Sequence, residues 1–147
     1  MKYSELIEAL SVFAKMGAYG VIDRIAGALT PEAVEHALYD ALRGLNAMVR
    51  QAAQLKIRVD GKEEVINVVD WSERLDDPRF QLAEEGEVVE VLKGPSELKG
   101  RRIRFVRAPS TLPSSNEVDD FITKVREQGF EGLSLARRIA LMALSKR

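Results

Sequence analysis

Residues 55–69 read LKIRVDGKEEVINVV. Ile57 and Val59 alternate with Lys56 and Arg58, Asp60, Gly61 and Lys62 supply turn chemistry, and a second apolar run follows from Val65 to Val69. A period of two sends alternate side chains to opposite faces of a strand, so the stretch reads as a β-hairpin. A three-residue loop with Gly61 left-handed pairs Ile57 with Val65 and Arg58 with Glu64, matching apolar with apolar and opposite charges with each other. A two-residue turn would set Ile57 against Glu64, so the longer loop is expected. Helical periodicity lies on both sides of the hairpin, which makes the order helices, strands, helices.

Upstream, a first helix is expected from Ser4, as N-cap, to Gly17, with Leu6, Ile7, Leu10, Phe13 and Ala14 inward. A second, from Tyr19 to Leu29, buries Ile22, Ile25, Ala26 and Leu29. Thr30 and Pro31 start a third, because proline at the first helical position gives up only an N–H that has no intrahelical partner. Val34, Leu38, Ala41, Leu42, Leu45, Met48, Val49 and Ala52 keep its period to about Leu55. Downstream, strands are expected at Arg79 to Ala83, Glu87 to Leu92 and Arg101 to Arg107, separated by turn chemistry at Glu85 and Gly86 and at Gly94 and Pro95. Ser114 and Glu117 form a capping box for a helix that carries Val118, Phe121, Ile122 and Val125 to Gly129. Ser134 caps a last helix with Leu135, Ile139, Met142 and Ala143 inward. The pattern predicts an α+β fold: an N-terminal three-helix unit, a central antiparallel sheet or small barrel of about five strands, and two C-terminal helices packed back on it. One domain is expected over residues 1–147, with subregions 1–55 helical, 56–107 β and 114–147 helical.

The chain has 147 residues, 46% hydrophobic and 31% charged, with a formal net charge of -1. Nothing global draws it to nucleic acid or an anionic membrane. One histidine, His36, and no cysteine leave little for metal sites, thiol chemistry or proton shuttles. Asp76 with Asp77, Asp119 with Asp120 and Glu84 with Glu85 are paired carboxylates, but adjacent residues point apart on both helix and strand. P-loop, dinucleotide and nucleophile-elbow patterns are absent. No catalytic residue, metal or cofactor is therefore expected. The N-terminal pattern is not that of a signal peptide and no run approaches the ~18 apolar residues of a membrane span, which predicts a cytoplasmic protein. Few amides, no cysteine and more arginine than lysine point to a thermophilic source.

At ~100° per residue, His36, Tyr39, Arg43, Asn46 and Arg50 share one outward stripe of the third helix. The order helix, helix, helix, hairpin over Ser4 to Val69 resembles a winged helix-turn-helix domain. That resemblance implies that Pro31 to Leu55 enters the major groove and that Ile57 to Val69 forms the wing. Glu32, Glu35 and Asp40 in the first turns of this helix would face phosphates, which disfavours DNA reading. Protein recognition suits the same stripe better, since tyrosine and arginine are the anchors that interfaces favour. A solvated helix face is the plainer alternative.

Charge is uneven along the strand region. From Asp60 to Leu92 the balance is -8, and from Lys93 to Arg107 it is +5. Arg101, Arg102, Arg104 and Arg107 either ladder against carboxylates of a neighbouring strand or present a basic surface to an acidic protein or a phosphate backbone. Gly86, Val88, Val89, Val91, Gly94, Pro95, Lys99 and Gly100 are similar to the KOW motif of SH3-like barrels, with a two-residue expansion after Pro95. That resemblance implies a small barrel with a transcription-linked role. The expected function is a non-catalytic regulator or adaptor that binds another protein, within the transcription machinery, through the helix stripe and the four arginines. The alternative is a nucleic-acid binder using the basic strand with Arg137, Arg138, Lys146 and Arg147. Self-association through Leu141 and Leu144 is a third reading.

Overall fold

In the computed structural model, which describes residues 2–16, 19–77, 80, 90–93 and 98–146, the hairpin turns on Asp60 and Gly61 alone. Strands β1 (Ala53–Val59) and β2 (Lys62–Ser72) pair with Val59 opposite Lys62, Arg58 opposite Glu63 and Ile57 opposite Glu64. The expected three-residue loop and its register are thus replaced by a two-residue turn. The cause lies in the backbone: a tight hairpin turn of this hand needs φ > 0 at both central residues, and Asp60 (φ 50°) followed by Gly61 (φ 77°) meets that demand at low cost. The resulting register sets Leu55 opposite Ile66 and Ala53 opposite Val68, and leaves Val65 57% exposed.

Two further strands, β3 (Glu90–Lys93) and β4 (Arg104–Arg107), complete an antiparallel sheet of order β3-β1-β2-β4. This gives four strands among the described residues, where about five were expected from the pattern. Of the expected strand Arg79 to Ala83 only the buried Phe80 lies within the described residues, and residues 87–89 of the next lie outside them. One face of the sheet buries Leu55, Ile57, Ile66, Val68, Val91, Leu98, Ile103 and Phe105. Glu64 shares that face because it stands opposite Ile57, and Arg107, opposite Val68, bonds it at 2.9 Å. The other side of the hairpin carries a ladder in which Glu63 accepts from Arg58 at 2.9 Å and lies 3.7 Å from Lys56 Nζ.

Five helices form the rest: α1 (Tyr3–Lys15), α2 (Tyr19–Gly27), α3 (Pro31–Arg50), α4 (Ser115–Gln128) and α5 (Phe130–Ser145). The chain divides into two compact units, Met1–Ala47 with Pro109–Arg147, and Met48–Ala108. In the helical unit α5 packs against α1, α2 and α4, so the C-terminal helices close a helical core. Leu133, Ala136, Ile139, Ala140 and Ala143 are its buried face, while Met142 is 45% exposed and Leu135 half-buried. The inward face is therefore rotated from the expected one. Gly132 permits a close α4–α5 crossing, since a Cβ there would stand 2.7 Å from Val125 Cα.

Local start signals were read well at two helices. Thr30 Oγ1 accepts from Ala33 N at 3.2 Å ahead of Pro31, and Ser114 Oγ accepts from Glu117 N at 3.3 Å. Elsewhere the bounds moved. Lys2, not Ser4, is the N-cap of α1, α3 ends at Arg50, and α5 begins directly after Gly129, so Ser134 lies inside it. Glu8 of α1 accepts from both Ser110 N (3.1 Å) and Ser110 Oγ (2.9 Å), which anchors the return from the strand region.

Two outcomes test this packing. Gly132→Ala is expected to lower stability by about 1–3 kcal/mol through overpacking against Val125, read as a drop in thermal midpoint. The Arg58 and Arg107 hydrogen bonds hold the Glu63 and Glu64 carboxyls below the usual range. A depressed carboxylate contributes stability above its unfolded pKa and loses it as pH falls through the folded one. In a carbon-detected acid titration, Arg107→Gln should return Glu64 to the ordinary range and leave Glu63 depressed.

Candidate functional site

The residues expected to bind a partner fall into both units. His36, Tyr39, Arg43 and Asn46 belong to the helical unit; Arg50, Arg101, Arg102, Arg104 and Arg107 belong to the other. On α3 the stripe is partly a seam within the fold. The half-buried Tyr39 donates its hydroxyl to Asp119 of α4, and Glu35 next to the stripe pairs with Arg126 of α4. Asp40 pairs with Arg24 of α2 at 2.8 Å. Two of the carboxylates that argued against DNA reading therefore hold α3 to its neighbours. His36 and Arg43 remain exposed and Asn46 is half-buried.

The strand arginines follow a similar logic. Arg101 pairs with Glu73 at 2.7 Å, and Arg107 pairs with Glu64 while its guanidinium stands 5.6 Å from the centre of the Phe105 ring. Arg102 is exposed and Arg104 half-buried. Residues of the acidic and the basic stretch are thus paired, Arg107 with Glu64 across β4 and β2 and Arg101 with Glu73 just beyond the strand ends.

Sequence reading missed a groove between α2 and α3. It encloses about 550 Å³ and is lined by Gly20, Asp23 and Gly27 of α2, by Ala33, His36 and Ala37 of α3, and by Arg24 and Ala28. The signal was present as two glycines within the short second helix. Beyond its end lies Leu29, expected inside but 83% exposed, because α2 stops at Gly27. The carbonyl of Ala28 accepts from Arg137 of α5, whose Nε lies 3.1 Å away. Three more large apolar side chains stand in water on α5: Phe130 (78%), Leu141 (57%) and Met142 (45%).

Among the described residues no three His, Cys, Asp or Glu side chains converge as metal ligands, and no helix is long and apolar enough to cross a membrane. Asp119 accepts from Tyr39, and Asp120 edges a shallow depression where Lys124 Nζ donates to Tyr3 Oη at 2.6 Å. Glu84 and Glu85 lie outside the described residues.

Residues 9–146 match the sequence profile of a family described as CRISPR-associated protein (Cas_Csa5). No curated protein matches the chain. The profile overturns the expected regulator or adaptor of the transcription machinery, together with its winged-helix-like alternative. The fold agrees with that correction. A wing is a free hairpin, whereas β1 and β2 are the two interior strands of the sheet. Of the KOW-like residues only Val91, Lys99 and Gly100 lie within the described residues. With a profile match that runs from within α1 to the end of α5, the chain belongs to the CRISPR-associated Cas_Csa5 family.

Proposed function

We propose that this chain is a non-catalytic subunit, working in the cytoplasm, that binds other proteins of a CRISPR–Cas complex. Family membership supports the setting. The observation that carries the reading is the outer surface of α5, which leaves Phe130, Leu141 and Met142 in water although the helix supplies the centre of the helical core. Full burial of one such side chain is worth about 1.5–3 kcal/mol, so a partner that covers two or three of them gains a substantial part of a working affinity. Interfaces are built around such anchors with a polar rim, and Arg138 and Lys146 lie on the same helix and its end.

Co-expression with the other proteins of its CRISPR–Cas system tests the proposal. Leu141→Asp combined with Met142→Asp should weaken association by tenfold or more while stability changes little, because both positions are already exposed. Undiminished association of the double variant would contradict it.

A further inference from the structure

We infer that the groove between α2 and α3 receives a helix of another protein subunit, one that brings a basic side chain to Asp23. The inference rests on the protein-binding reading above and concerns a different surface. Its starting point is Gly20 and Gly27. Glycine weakens a helix relative to alanine, and α2 has only nine residues. Neither glycine is required by the fold. A Cβ at either position would meet nothing within 4 Å, and neither has the left-handed φ that favours glycine. Gly132 shows the contrast, since there the fold itself fills the space. The room left at Gly20 and Gly27 opens into the groove of about 550 Å³, where Ala33 and Ala37 keep the opposite wall low.

Charge narrows the occupant. Arg24 is neutralised by Asp40 at 2.8 Å, whereas Asp23 on the groove wall has no ion-pair partner among the described residues. The Asp23 carboxylate on the groove wall attracts lysine or arginine, while the Arg137 guanidinium is held at the Ala28 carbonyl at the end of α2. Leu29, 83% exposed just past the end of α2, offers an apolar contact beside it. The walls are helices, whose backbone groups between the terminal turns are paired within the helix. An extended peptide laid there would leave its own amides without partners, while a helix satisfies them internally.

The test uses the full chain co-expressed with the other proteins of its CRISPR–Cas system. Gly27→Leu fills the groove and should keep or raise the thermal midpoint while weakening association about tenfold or more. Asp23→Lys should weaken it further than Asp23→Asn. A photo-crosslinker at Ala33 should attach to a helical segment of a partner protein that carries lysine or arginine. Association unaffected by both Gly27→Leu and Asp23→Lys overturns the groove assignment and leaves the protein-binding reading standing. A cross-link to nucleic acid or to a second copy of this chain also overturns it. A chain that associates with none of the proteins overturns both readings.

Discussion

Burial of α5 is the constraint on which the helical unit depends. Its inner face touches α1, α2 and α4, and at Gly132 it comes so near the α4 backbone that only glycine fits without a shift. Two polar ties reinforce the packing. Ser11, buried on α1, has its hydroxyl 2.6 Å from the Ile7 carbonyl and 3.3 Å from that of Ala143, and Arg137 reaches the end of α2 at Ala28. A buried hydroxyl and an open helix end would each be costly if left unpaired. Because α1 and α2 precede the strand region while α4 and α5 follow it, the helical core forms only when both segments meet.

Ion pairing in both units acts mainly on orientation. Arg24 with Asp40, Arg101 with Glu73 and Arg107 with Glu64 are substantially exposed pairs, which contribute little net stability but fix which groups face outward. Among the exposed groups of the helical unit left without such partners are the Asp23 carboxylate, the Leu29 side chain, and Phe130, Leu141 and Met142 on α5. These are the groups with free energy still to gain from a partner, and none of them is needed to close the core.

Much of the fold was legible where the controlling physics is local. Thr30 with Pro31 and Ser114 with Glu117 are decided within four residues, and the alternation of Ile57 and Val59 needs only the pleat. The register of the hairpin was misread because side-chain matching was weighed above the backbone demand of the Asp60-Gly61 turn. Leu29 and Met142 were placed inside because helix ends and inward faces depend on which other helices arrive, and that is set by contacts distant in sequence. Tyr39 was expected on an outward stripe, yet its hydroxyl donates a hydrogen bond to Asp119, eighty positions away. The winged-helix order was present but misleading, since it says nothing of the strands that flank the hairpin. No single residue pattern carries the CRISPR association, and it emerged from the whole-chain match.

The most direct measurement of the central claim is amide hydrogen exchange of this chain, free and within a CRISPR–Cas complex reconstituted from its own system. Residues 19–37 and 130–145 carry the groove and the exposed apolar positions of α5, and the account predicts slowed exchange there on assembly. Protection confined to the sheet unit, or no change in either segment, would contradict it.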